Sequence, residues 1–280
     1  MLIATWNVNS IRSRLEHIKS WLREISPDLL CLQETKVSDD LFPKSELQGE
    51  GYEVFIHGQK SYNGVALISK KPLEEIFFGF SDVLVNDKEA IRLDDQKRII
   101  SASIEGIRIV NVYVPNGSSI DSEKYKYKLD WLDCLNNYIE NLKSRSEPIC
   151  LLGDFNIALE SRDIHNPKKL SGGIMASEPE RSSLRKIIGE DLQDVFRIFE
   201  SDTNHWSWWD YRTRSWERDK GWRIDHIYMS ELLISNSQGC EIHKNERGRE
   251  KPSDHAPVSV DLIWPPKEST DLGEDFSDFY

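Results

Sequence analysis

The chain has 280 residues, of which 38% are hydrophobic and 30% charged, and its formal net charge is −12. That balance excludes disorder along the whole chain and allows one large α/β domain or two small ones. The acidic charge excludes a generally basic nucleic-acid coat, so any contact with nucleic acid must come from a local basic surface or a bound metal.

Leu2–Trp6 reads as a strand, and Leu15, Ile18, Trp21, Leu22 and Ile25 then follow helical spacing until Ser26-Pro27 stops them. Leu29–Gln33 is a second strand. Tyr52–Ile56 and Val65–Ser69 flank Asn63-Gly64 and read as a hairpin; Ile99–Ile104 and Ile107–Val114 pair around Glu105-Gly106. Glu123–Lys143 has the apolar spacing of a long amphipathic helix. Ile149–Gly153 is a buried strand, Glu180–Ile188 a helix, and Ile224–Met229 and Val258–Leu262 are late strands. Hairpins mixed with βα units predict two packed mixed sheets with outer helices.

No composition shift divides Met1–Trp264, which is expected to be a single domain. Pro265–Tyr280 carries one Lys and five Asp or Glu, and is expected to be a flexible acidic appendage. The apolar runs are too short to cross a bilayer, and the N-terminus lacks the pattern of a secretory leader. The four cysteines are widely spaced without a C-x-x-C, which fits buried thiols in a reducing cytoplasm.

Five polar clusters follow strand ends or precede strands, where α/β proteins build their sites. They are Trp6-Asn7-Val8-Asn9, Leu32-Gln33-Glu34-Thr35-Lys36, Gly153-Asp154-Phe155-Asn156, Trp222-Arg223-Ile224-Asp225-His226 and Pro252-Ser253-Asp254-His255-Ala256-Pro257. Each alone reads at least as readily as a turn, a cap or a surface ion pair. Together they offer carboxylate, amide and imidazole, the ligand set of a magnesium-type phosphoryl-transfer site. No G-x-S-x-G, no phosphate-binding glycine loop and no H-E-x-x-H is present, so no nucleotide cofactor is expected. Five of nine tryptophans lie between Trp206 and Trp222, interleaved with Arg212, Arg214, Arg218, Lys220 and Arg223. Such a segment suits stacking on bases or lining a sugar pocket, although at least two of the tryptophans are expected in the core. Lys244, Arg247, Arg249 and Lys251 form a second basic cluster, equally readable as a solvated loop.

The ordered set, with Tyr113-Val114-Pro115-Asn116 and Trp208-Trp209-Asp210-Tyr211-Arg212, resembles the exonuclease III family of apurinic/apyrimidinic endonucleases, within the endonuclease/exonuclease/phosphatase superfamily. The likeness runs from Leu2 to about Leu262. It implies a four-layer α/β sandwich and a divalent metal, Mg²⁺ or Mn²⁺. By resemblance, Glu34 is the principal metal ligand, with Asn7 and Asp254 close to the metal. Asp154 and Asn156 match the pair that activates and orients water, and Asp225 and His255 the pair that contacts the scissile phosphate. Tyr113 and Asn116 match phosphate contacts. Trp208 and Trp222 match the walls of an abasic-sugar pocket, with Arg212 and Arg223 on the DNA side.

The implied function is cleavage of duplex DNA 5′ to abasic sites, leaving a 3′-hydroxyl, with action on blocked or recessed 3′ ends as 3′→5′ exonuclease and 3′-phosphatase. A cytoplasmic monomer is expected. The alternatives are an enzyme that is chiefly a 3′→5′ exodeoxyribonuclease and a catalytically silent DNA-binding protein. Three departures stand out. Asn9 replaces an Asp of certain members. Gly117-Ser118-Ser119 lacks an arginine that some members place there. The loop Ile164–Glu180 differs from the common form, and His165 on it is positioned in sequence to obstruct an abasic sugar.

Overall fold

The computed structural model describes residues 1–145 and 147–266. The acidic tail expected from Pro265 therefore lies outside the described residues beyond Pro266. In chain order the strands are β1 (Leu2–Asn7), β2 (Leu29–Gln33), β3 (Glu53–His57), β4 (Val65–Ser69), β5 (Glu74–Phe78), β6 (Ile99–Ile104), β7 (Ile107–Tyr113), β8 (Ile149–Asp154), β9 (Leu192–Asp194), β10 (Asp225–Ser230), β11 (Ser237–Ile242) and β12 (Val258–Leu262). They form two six-stranded mixed sheets, ordered β11-β12-β1-β2-β4-β3 and β5-β6-β7-β8-β10-β9.

The inner strands are apolar on both faces because both faces are covered. Ile3, Cys31 and Leu67 of the first sheet meet Ile109, Cys150 and Leu152 of the second in the central core. The helix Ile11–Ile25 covers the outer face of the first sheet through Ile18, Trp21 and Leu22. The helices Glu123–Lys143 and Glu178–Ile188 cover the second through Trp131, Leu135, Leu184 and Ile187. The result is the helix–sheet–sheet–helix sandwich expected from the sequence.

The helix expected at Glu180–Ile188 begins two residues earlier. Ser177 and Glu180 form a reciprocal capping box, with Pro179 in the first turn where its missing N–H is harmless. At the end of β8, Gly153 has φ of +140°, and a Cβ there would stand 2.0 Å from the Val112 carbonyl oxygen. Only glycine permits that approach of β8 to β7. The register then sets Tyr113 beside Asp154 and Asp154 opposite Asp225.

Among the described residues, no helix is long and apolar enough to cross a membrane.

Candidate active site

Neighbouring edges of the two sheets deliver the site. Asn7 ends β1, Glu34 follows β2, Tyr113 ends β7, Asp154 ends β8, Asp225 opens β10, and Asp254 and His255 lead into β12. Glu34 and Asn156 both have positive φ, +50° and +49°. Non-glycine residues rarely adopt this conformation, and it persists where surrounding contacts over-determine it.

Asn7 joins the sheets. Its Nδ2 donates to Glu34 Oε1 at 2.9 Å and to Asp154 Oδ2 at 2.8 Å. Glu34, Asp154 and His255 each present a donor atom, all within 4.8 Å of one another. Lys36 Nζ reaches Glu34 Oε2 at 2.7 Å and also donates to Asn9 Oδ1. Burial opposes ionisation of Glu34, but Lys36 and the Asn7 amide outweigh it and hold its carboxyl below the ordinary value.

The histidine is ordered by a chain of contacts. Asp225 Oδ2 accepts from Ser207 Oγ at 2.6 Å and lies 2.9 Å from His255 Nδ1. His255 Nε2 lies 3.8 Å from Asp154 Oδ2. Burial disfavours the imidazolium, yet Asp225 and then Asp154 raise its pKa to about 10. Burial pushes Asp154 the other way for an acid, up to about 7, against the pull of His255. Tyr113 is likewise raised, by burial and then by Glu34. Asn156 Oδ1 accepts from Asn116 Nδ2 at 3.0 Å, and Asn156 Nδ2 donates to the Val114 carbonyl at 3.0 Å.

Trp208 and Trp222 pair by a β-bridge, and Trp208 bridges to His255. Both tryptophans line a cavity of about 400 Å³ together with His165, Met175, Arg218 and Lys220. Trp206 and Trp209 are buried core, as expected for part of this segment. Arg212 is exposed at the rim, 3.3 Å from Asp210.

One expectation changes. Arg223 does not face a DNA surface. It is 1% exposed, with Nε 2.7 Å from Asp163 Oδ1 and Nη2 2.7 Å from Asp194 Oδ2. The buried Asp163 and the half-buried Asp194 hold it inside, while Trp222 before it faces the cavity. Asp254 stands outside the three-residue cluster. Its oxygens accept from Asn9 Nδ2 at 2.9 Å and Trp208 Nε1 at 3.0 Å, so it braces the tryptophan. The second basic cluster is also largely committed: Lys244 pairs with Asp219, Arg249 with Glu246, and Arg247 lies over Tyr211 and Trp216.

Sequence reasoning missed Ser207, Asp163 and Lys128. Lys128 alone carried a signal, a lysine on the apolar stripe of its helix among Tyr125, Trp131, Leu132 and Leu135.

A clustered carboxylate pair with an adjacent amide suits a hard divalent cation, and a buried Asp–His pair beside it suits phosphate-ester chemistry. The chain matches the endonuclease/exonuclease/phosphatase family over residues 4–255. It is 36% identical over 270 residues to exodeoxyribonuclease III of Haemophilus influenzae, covering 92% of this chain and 98% of that one. It superposes with a TM-score of 0.88 on the 3′ phosphatase NExo from Neisseria bound to a product DNA hairpin, at 36% identity, covering 94% of this chain and all of that one. It superposes with a TM-score of 0.87 on an AP endonuclease from Archaeoglobus fulgidus, at 38% identity, covering 94% of this chain and 99% of that one. The chain belongs to the endonuclease/exonuclease/phosphatase family, in its exonuclease III branch of DNA-repair nucleases.

Proposed function

We propose that this protein is a metal-dependent DNA phosphodiesterase that hydrolyses the backbone 5′ to an abasic site and trims or dephosphorylates 3′ ends, in each case leaving a 3′-hydroxyl. The observation that carries this reading is the buried Asp225–His255 pair facing Asp154 beside Glu34. The relatives' names, exodeoxyribonuclease III and AP endonuclease, support it.

Glu34, with Asn7 adjoining, would hold the cation, Mg²⁺ or Mn²⁺, which when bound neutralises charge on the phosphate oxygens. His255, kept as imidazolium by Asp225, donates through Nε2 to a phosphate oxygen as negative charge builds there. Asp154, ionised and aimed at the same space, takes a proton from the attacking water. Its elevated pKa suits a base working near neutrality. Asn156 and Asn116 fix the water and a phosphate oxygen through their amides. An abasic nucleotide has no base to unstack, so it turns out of the duplex at low cost into the Trp208/Trp222 cavity.

A second reading is favoured by one observation. His165 lines the same cavity as Trp208 and Trp222, and residue 164 bridges to Trp222. A histidine there narrows the space for a sugar and favours 3′-end processing over abasic cleavage.

The test is a 5′-labelled duplex with one abasic analogue, beside an undamaged duplex with recessed 3′ ends, each with Mg²⁺ or chelator. A single metal-dependent cut at the lesion supports the first reading. A ladder from the 3′ end with the lesion ignored supports the second. Asp154→Ala should abolish both cuts while sparing duplex binding. Cleavage by that variant at the wild-type rate would remove Asp154 from the mechanism, and no cleavage by wild type would leave only a DNA-binding protein.

A further inference from the structure

A buried cation lies beneath the site and touches none of the space a substrate would occupy. Lys128, fully buried on the helix Glu123–Lys143, donates from Nζ to Glu180 Oε1 at 2.6 Å, to the Asn156 carbonyl at 2.7 Å and to the Asn116 carbonyl at 3.3 Å. Those three acceptors account for the three protons of an ammonium. Glu180 is also fully buried. Its Oε1 accepts the Met175 amide at 3.0 Å, and its Oε2 accepts the Ser177 amide at 3.0 Å and hydroxyl at 2.6 Å.

The groups held at the two ends of this ion pair share a property. Asn156 has φ of +49° and Met175 φ of +64°, conformations that side-chain-bearing residues avoid. The ammonium holds the carbonyl of the first and the carboxylate holds the amide of the second. Asn116 lies between them: its Nδ2 donates to Asn156 Oδ1 at 3.0 Å and lies 3.5 Å from Met175 Sδ. Three loops that wall the site, around residues 116, 156 and 175, thus converge on one pair.

A buried ion pair is weak evidence for stability, because desolvation offsets its attraction. Its placement is more informative. Two of the ammonium's three hydrogen bonds go to the backbone of Asn156 and Asn116, whose side chains bond to each other, with Asn156 Nδ2 also 3.2 Å from Asp154 Oδ2. We infer that Lys128 is a positioning residue for phosphodiester cleavage, acting with Glu180 to hold the Asn116 and Asn156 loops in their reacting geometry. This rests on the phosphodiesterase reading above and extends it to a residue that never meets DNA.

The experiment compares wild type, Lys128→Met and the charge-neutral double variant Lys128→Met/Glu180→Gln, each alone and with Asn156→Ala, using Mg²⁺ and the labelled duplexes described above. Removing one partner strands a buried charge, so the single variant is expected to fold poorly; the double variant keeps the test decisive. The double variant should melt near the wild-type temperature and bind duplex normally, with kcat reduced about 100-fold, the scale of a misplacement of about 1 Å. In the Asn156→Ala background the same change should lower kcat less than about threefold, because the route it acts through is already broken. A folded double variant with wild-type kcat, or losses that multiply, would overturn the inference.

Hydrogen exchange separates this outcome from failure of the function itself. The amides of Phe155, Asn156 and Ala158 should exchange faster in the double variant, with those of β1 and β2 unchanged. If wild type cleaves neither duplex, the phosphodiesterase reading fails, and exchange still decides whether Lys128 holds these loops. Unchanged exchange would overturn the inference alone.

Discussion

His255 stands between two carboxylates, with Nδ1 2.9 Å from Asp225 Oδ2 and Nε2 3.8 Å from Asp154 Oδ2. Both favour the imidazolium, and its pKa rises to about 10. The stability this raised value contributes is fully present below the unfolded histidine's value, about 6.5, and is lost as pH rises through about 10. An imidazolium that met the phosphate as proposed would follow the same course. Asp225→Asn removes the larger attraction, so the alkaline limb of kcat/KM should move down from about pH 10 toward neutrality. A pH–rate profile checks this, and an alkaline limb that stays in place would mean that the charge on His255 is not what the rate requires.

Asp154 carries the opposite consequence. Burial raises its pKa to about 7, so the ionised carboxylate is lost as pH falls through neutrality. A cation seated on Glu34, which shares Asn7 Nδ2 with Asp154, adds positive charge beside that carboxylate and lowers its pKa. The acid limb of kcat/KM should therefore lie near pH 7 at limiting Mg²⁺ and shift to lower pH as Mg²⁺ is raised. Profiles at several Mg²⁺ concentrations measure the shift; a limb indifferent to Mg²⁺ would separate Asp154 from the cation site.

The sandwich was legible because its inner strands are short apolar runs followed at once by polar clusters. Leu29–Gln33 and Val258–Leu262 stand where the sequence puts them. The strands it left out, β5, β9 and β11, are all sheet edges or next to bulges, and Glu74–Phe78 and Ser237–Ile242 are half-exposed and partly polar. Edge strands lack the two-sided burial that produces an apolar signature. At the site, the residues Glu34, Asp154, Asn156, Asp225 and His255 converge. Arg223 was misread because neighbours in extended chain face opposite ways, and nothing in Trp222-Arg223 says which one turns inward. The partners that hold it, Asp163 and Asp194, are 60 and 29 residues away in sequence.

His165 tests the balance of activities. Burial lowers its pKa, so a largely neutral ring stands in the cavity with Trp208 and Trp222, with Nδ1 3.3 Å from the Gly221 carbonyl. His165→Ala opens that space without touching Glu34, Asp154 or His255. Abasic cleavage should rise at least tenfold relative to release of a 3′ phosphate, an amount within reach of about 1.4 kcal/mol of differential transition-state binding. Parallel kinetics on the two substrates give the ratio, and an unchanged ratio would show that the ring does not restrict the sugar.

Arg223 belongs to stability rather than DNA binding. Its guanidinium is buried between Asp163 and Asp194, and Asp163 also pairs with Arg197 at 2.5 Å. Replacing it with Met leaves two carboxylates short of a cation, a change expected to cost about 3–5 kcal/mol. Because the side chain faces no phosphate, the slope of log K against log salt for duplex binding should not change. A true phosphate contact would lower that slope by about 1. Urea unfolding and a salt titration on the same Arg223→Met sample distinguish the two: a stable protein with a shallower slope would return Arg223 to the DNA face, and an unstable one with the wild-type slope places it where its two aspartates hold it.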